Sequence, residues 1–292
     1  MKKILIMMIT TLLFLAGCKA GSDNDQSISN PFGSGSGKST GSSSSTGVTL
    51  EFTNGNPPQD MFIGSPVTFA FIFKNYQLHD VENVEVKVKG FDRSYVSGLD
   101  EEYSVTRIPK ASDAIGAGIF TGLVASGVVV EGFVGDYNFN PEFEYCYLAK
   151  TSFRETVCVP STTNQCEIEY SAQTTQNGPV SVSIDRVNAV SDSVQISFTL
   201  NNKGQGEMRN ECFNDQDYAT QYVINSIKLG TLDGNCNPSG TDDYLLGEGR
   251  GSFFCEFPRS QDGSYPTQLT LELEYLYEQE IQKSYTVIDP TQ

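Results

Sequence analysis

Apolar and polar residues alternate with period two in four separate runs: Val67-Thr-Phe69-Ala-Phe71-Ile-Phe73, Val84-Glu-Val86-Lys-Val88-Lys, Val194-Gln-Ile196-Ser-Phe198-Thr-Leu200 and Leu269-Thr-Leu271-Glu-Leu273-Glu-Tyr275. Successive strand side chains point to opposite faces, so each run predicts a β-strand with one apolar and one solvated face. Turn residues break the runs at short intervals, at Asn54-Gly55-Asn56-Pro57-Pro58, Lys203-Gly204, Asp233-Gly234 and Asp262-Gly263. No window carries a helical stripe. The chain reads as all-β, with antiparallel sheets exposed on one side.

The runs repeat. Phe71-Ile72-Phe73-Lys74-Asn75 and Phe198-Thr199-Leu200-Asn201-Asn202 share Phe-x-apolar-polar-Asn at an offset of 127. Phe143-Glu-Tyr-Cys-Tyr147-Leu148, followed by Phe153 and Val157-Cys-Val159, matches Leu271-Glu-Leu-Glu-Tyr275-Leu276, followed by Ile281 and Tyr285-Thr-Val287, at an offset of 128. Two blocks at nearly one spacing divide the chain into two copies of a module, residues 48–160 and 178–288, with a polar connector at 161–177. Each is long enough to hold its own core and is expected to be an immunoglobulin-like β-sandwich, folded separately from the other.

Ahead of the modules, Lys2 and Lys3 precede an apolar run from Ile4 to Phe14, then Leu15-Ala16-Gly17-Cys18. This is the layout of a signal peptide over residues 1–17, too short to span a bilayer. Leu-Ala-Gly-Cys resembles the lipobox of prokaryotic lipoproteins, which implies acylation of Cys18 and a lipid anchor on a cell membrane or outer membrane. Residues 18–47 are rich in Ser and Gly and read as a flexible tether of roughly 30 Å reach. Within it Gly33-Ser-Gly-Ser-Gly37-Lys38-Ser39 imitates a phosphate-binding loop, but Phe32 stands where that motif needs glycine, and no strand precedes it.

Strand-Asn75 and strand-Asn202-Lys203-Gly204 resemble the strand-to-turn element of CARDB-like and related immunoglobulin-like modules of prokaryotic surface proteins. Phe52 with Pro57-Pro58, Phe62-x-Gly64, Asp80-Val81, Gly90-Phe91-Asp92, Cys146-Tyr147, Val157-Cys158-Val159 and Gly178-Pro179-Val180 resemble an uncharacterised archaeal family of two-domain envelope proteins. The resemblance implies a fold and a surface location. It carries no activity.

Once Lys2 and Lys3 leave with the leader, 36 acidic residues face 17 basic ones (19 less 2), a charge of about −19. Nucleic acid and anionic lipid are therefore poor partners, and no nucleic acid is expected. An envelope protein or a glycan is the expected partner class. Apart from Cys18, six cysteines remain: Cys146, Cys158, Cys166, Cys212, Cys236 and Cys255. An even number in an exported chain implies disulfides. Cys236–Cys255 is the pairing best supported, because turn residues between them return one strand beside another. Cys146–Cys158 and Cys158–Cys166 stay as open alternatives.

Chemistry has few candidates. His79 is the only histidine, without a Gly-x-Ser-x-Gly elbow for a triad. A cysteine–histidine pair would need His79 to meet a cysteine of the other module. Carboxylates cluster at Asp100-Glu101-Glu102 and at Asp215, Asp217, Asp242 and Asp243. Loops could gather the last four around Ca²⁺, or a pair could serve a surface hydrolase. No other cofactor is expected. The uncharged stretch Ala114–Val130 is expected to be a loop followed by a buried strand from about Gly127 into Phe133-Val134, with membrane insertion as the alternative. Tyr95, Tyr218, Tyr244 and Tyr265 are candidates for a sugar- or protein-binding face. The expected function is non-catalytic display, adhesion or envelope assembly, with a carbohydrate- or ligand-binding lipoprotein as the alternative.

Overall fold

The computed structural model describes residues 46–112, 116–161, 178–214, 222–237, 250–259 and 263–291, among which there are strands and no helix. The first half holds β1 (Val48–Phe52), β2 (Asp60–Phe62), β3 (Val67–Asn75), β4 (Val81–Lys89), β5 (Val96–Ser97), β6 (Glu102–Ile108), β7 (Gly118–Val130), β8 (Tyr137–Phe139) and β9 (Glu142–Val159). The second holds β10 (Val180–Val190), β11 (Ser193–Asn202), β12 (Glu207–Arg209), β13 (Val223–Leu229), β14 (Leu232–Asp233), β15 (Asn235–Asn237), β16 (Arg250–Pro258), β17 (Tyr265–Gln282) and β18 (Tyr285–Ile288). All four alternating runs are strands or parts of strands, as their periodicity requires.

The repeat is visible in the sheet order. One flanking sheet runs β1-β3-β7-β5 and its counterpart β10-β11-β16-β15. Between the halves lies one seven-stranded sheet, β14-β13-β17-β9-β4-β6 with β12 also on β17. Both flanking sheets pack on one face of this shared sheet, through contacts of β7 with β6, β16 with β14 and β10 with β9. The result is two sandwich-like halves fused along the β9–β17 seam.

The halves are therefore not self-contained, contrary to the expectation of separate folding. β9 and β17 pair antiparallel over 18 residues, from Glu142↔Gln282 to Val159↔Tyr265. Beyond the seam, β18 pairs with β2 and β8 of the first half. Its Tyr285 packs against Phe52, Phe69 and Phe139 at ring distances of 6.4, 5.5 and 6.2 Å. In the opposite sense, the far end of β9 serves the second half, where Thr151 Oγ1 donates to Val180 O at 2.9 Å. Strands this long reach past their own half, and the buried residues of both halves form one continuous core.

The repeated asparagine closes the same turn twice. Asn75 Oδ1 accepts from Gln77 N at 2.9 Å while its Nδ2 donates to His79 O at 2.8 Å. Asn202 Oδ1 accepts from Gly204 N at 3.0 Å while its Nδ2 donates to Gly206 O at 2.6 Å. A short amide side chain can serve a donor two residues on and an acceptor four residues on, which explains why asparagine ends both strands.

Val48 N donates to Tyr147 Oη at 3.0 Å and Val180 N to Tyr275 Oη at 3.1 Å, so the same bond ties each flanking sheet to the shared one. Tyr145 and Tyr277 join these two in a row of buried rings along the inner face of the seam. Burial pushes all four phenols above their ordinary pKa, so they remain neutral donors and acceptors.

The stretch expected to be a loop before Gly127 is instead most of β7, which pairs with β3 from Gly118 onward. Gly127, at φ +72°, is left unpaired between Ser126 and Val128, a bulge inside a continuous strand. β7 alternates buried and exposed positions and ends at Val130. Its expected continuation through Phe133 and Val134 is irregular backbone, with Val134 94% exposed.

Cys236–Cys255 is formed, between directly opposed residues of β15 and β16. Cys146 bonds to Cys212, across the repeat, which replaces the Cys146–Cys158 alternative. The seam brings the second half's β12 beside Cys146, whereas hairpin logic confined to one module could not reach it. Cys158 is disulfide-bonded as well, and Cys166 lies outside the described residues.

Candidate functional site

Of the positions singled out by sequence, Cys18, Cys166, Asp215, Asp217, Asp242, Asp243, Tyr218 and Tyr244 lie outside the described residues, as do the leader and most of the tether and of the connector. Tyr95 is 38% exposed, but its ring lies against Phe133 at 4.5 Å, and Phe133 in turn stacks on Tyr137 at 4.1 Å. The three rings cover one another's faces. Tyr265 is half-buried at the start of β17.

The described chemistry concentrates on the outer face of the shared sheet. Because side chains alternate, Phe143, Tyr145 and Tyr147 turn inward while Glu142, Glu144, Cys146, Leu148 and Lys150 turn outward. Register sets Glu280, Glu278, Leu276 and Glu274 of β17 opposite the last four of these. On the other side β4 contributes Glu85, Lys87 and Lys89 opposite Cys146, Glu144 and Glu142.

The segment after β12 folds back over this face. The Cys146–Cys212 disulfide fastens it, Phe213 N donates to Glu278 Oε2 at 2.6 Å, and the Lys87 ammonium lies 5.7 Å from the Phe213 ring centre. Arg209 also reaches Glu278, at 3.3 Å. Glu278 is thus buried with a partner for each oxygen.

Beside the disulfide is an open cleft of about 560 Å³, lined by His79, Asp80, Glu85, Leu148, Lys150 and Leu276 among others. Lys150 pairs with Glu274, and Asp80 with Arg107. Asp80 also accepts from Lys110 N at 2.9 Å, and this bond first, then Arg107, holds its carboxyl below the ordinary range. His79 has its Nε2 buried without a hydrogen-bond partner among the described residues. Burial first, and Lys150 second, hold its pKa below the ordinary value.

His79 does line the same cleft as a cysteine pair from both halves, but Cys146 and Cys212 are joined as a disulfide and present no thiolate. The imidazole therefore has no cysteine thiolate beside it among the described residues of the cleft. Asp100, Glu101 and Glu102 stand on and before β6, where Glu101 pairs with Arg93 at 2.7 Å.

Sequence reasoning missed a carboxylate cluster. Glu142, Glu144 and Glu280 place carboxylate oxygens within 4.8 Å of one another. The signal was Glu at alternate positions, 142 and 144 in one copy and 278 and 280 in the other, but only the β9–β17 register joins them. No protein-family model matches the chain, and no curated protein matches it.

Proposed function

We propose that the protein is an exported, lipid-anchored surface scaffold that displays or spaces its loops at the cell envelope without catalysis. The observation that carries this reading is the fusion of two repeated halves by an 18-residue strand pairing, reinforced by a disulfide across the repeat. A body built this way holds distant loops at fixed separation. A leader, a Cys18 lipobox and a Ser/Gly tether would place it on a membrane with freedom to reorient. The disulfides support an oxidising compartment, and the acidic surface supports solubility there. A ligand-binding role is the second reading, favoured by the cleft in which Leu148, 41% exposed, lies between charged neighbours.

The test is fatty-acid labelling and detergent partition of the full chain against Cys18→Ala in a lipoprotein-processing host. Wild type should be labelled and enter the detergent phase, and the variant should do neither. Equal labelling would remove the anchor. A hydrolytic activity abolished by Asp→Asn at Asp215, Asp217, Asp242 or Asp243 would remove the non-catalytic reading.

A further inference from the structure

The carboxylate cluster at the end of the seam is hard to explain with protein groups alone. Glu144 and Glu280 are directly opposed in register, and Glu142 lies two residues before Glu144 on the same face. Like charges directly opposed in a sheet repel. Among the described residues one ammonium pairs with the cluster, Lys89 Nζ 2.6 Å from Glu144 Oε1, while Lys87, opposite Glu144 in register, has its ammonium near the Phe213 ring. Three carboxylates and the one paired ammonium leave the cluster net negative.

Glu144 is only 7% exposed, and its Oε2 is fully buried without a hydrogen-bond partner. A buried carboxylate oxygen without a partner is costly. Glu142 and Glu280 meet side chain to side chain, although two ionised carboxylates have no hydrogen to share. Something positive must lie between them. A proton would serve that pair but leave Glu144 Oε2 unpartnered, whereas a cation takes an oxygen from each residue.

We propose that Glu142, Glu144 and Glu280 bind a hard divalent cation, calcium in preference to magnesium, which clamps the end of β17 onto the start of β9. The oxygen spacing fits, since Ca²⁺–oxygen bonds of about 2.3–2.6 Å put ligands on opposite sides of the ion about 5 Å apart. Carboxylates can bind calcium through one oxygen or two, so three of them with water complete a flexible sphere of 6–8 oxygens. Magnesium demands a stricter octahedron and keeps its waters. The ion would hold the strand that carries Tyr285 into the first half, so its effect is on the coherence of the fold.

The experiment is thermal unfolding of the chelator-treated full chain with CaCl2 added over roughly 10⁻⁵–10⁻² M, a range spanning extracellular calcium modules. Tyrosine-sensitised Tb³⁺ luminescence is the second readout. Wild type should gain roughly 5 °C at a hundredfold excess over Kd and sensitise Tb³⁺. Glu144→Gln and Glu280→Gln should lose both effects while remaining folded, with midpoints in chelator at or above wild type because repulsion is relieved. A wild type indifferent to calcium would overturn the proposal. So would a calcium shift unchanged in both Gln variants but lost on Asp→Asn changes at Asp215, Asp217, Asp242 and Asp243.

Discussion

Leu148 of β9 lies directly opposite Leu276 of β17, and the two are the same position of the repeat, 128 residues apart. A strand pair in which a residue faces its own equivalent has a local twofold axis at that point. Sheet order is symmetric about it, with β4 and β6 on one side mirrored by β13 and β14 on the other. The duplication therefore reproduces the interface of a symmetric dimer within one chain. This accounts for the length of β9 and β17, each of which starts in its own half and ends in the other.

The tyrosine bonds that tie the flanking sheets to the seam should both contribute, Tyr275 the more because its Oη also meets Thr151 Oγ1 at 2.8 Å. Tyr147→Phe and Tyr275→Phe each remove the acceptor of a buried backbone N–H, at Val48 and Val180. Each should cost about 1–3 kcal/mol in urea unfolding. A cost at one site with none at the other would show that the halves use the equivalent bonds differently.

The cross-repeat disulfide should matter more than the local one. Chain entropy gives about 4 kcal/mol for a loop of 66 residues and about 3 kcal/mol for one of 19. Paired Cys→Ser changes at Cys146 and Cys212 should lower stability by more than those at Cys236 and Cys255, measured by the same unfolding curves. The reverse order would mean that the segment after β12 is held to the sheet by Phe213 and Arg209 without help from sulfur.

His79 should give stability an acid-side slope. Its folded pKa lies below the ordinary value of 6.5, so the unfolded chain takes up the proton first. Stability is then fully present above pH 6.5 and is lost as pH falls through the window down to the folded pKa. His79→Gln should flatten that part of the curve. Identical pH profiles for wild type and variant would show that the imidazole is as easily protonated folded as unfolded.

Strand positions, the repeat and the Cys236–Cys255 pair were legible because each depends on residues close in sequence. Period-two alternation marks a strand wherever it sits, and Asn75 and Asn202 mark turns closed within four residues. The seam was not legible. Nothing in the pattern of Phe143–Val159 or Leu269–Tyr275 says whether its free edge meets solvent or another strand, and only the pairing brings Glu280 to Glu144 and Cys212 to Cys146. The β7 strand was hidden by Gly118, Gly122 and Gly127, which read as loop although one of them is a bulge.

The interlocked fold itself is tested by separating the halves. Residues 46–161 lack Tyr285 and Val287 of β18 and the β17 partner of β9, while residues 178–292 lack the β9 partner of β17. Each would expose an 18-residue strand edge. Each half expressed alone should be aggregation-prone or lack a cooperative melting transition, and the chain spanning both should melt in one transition. Two isolated halves that each unfold cooperatively as β-proteins, with midpoints matching two transitions in the full chain, would contradict the account.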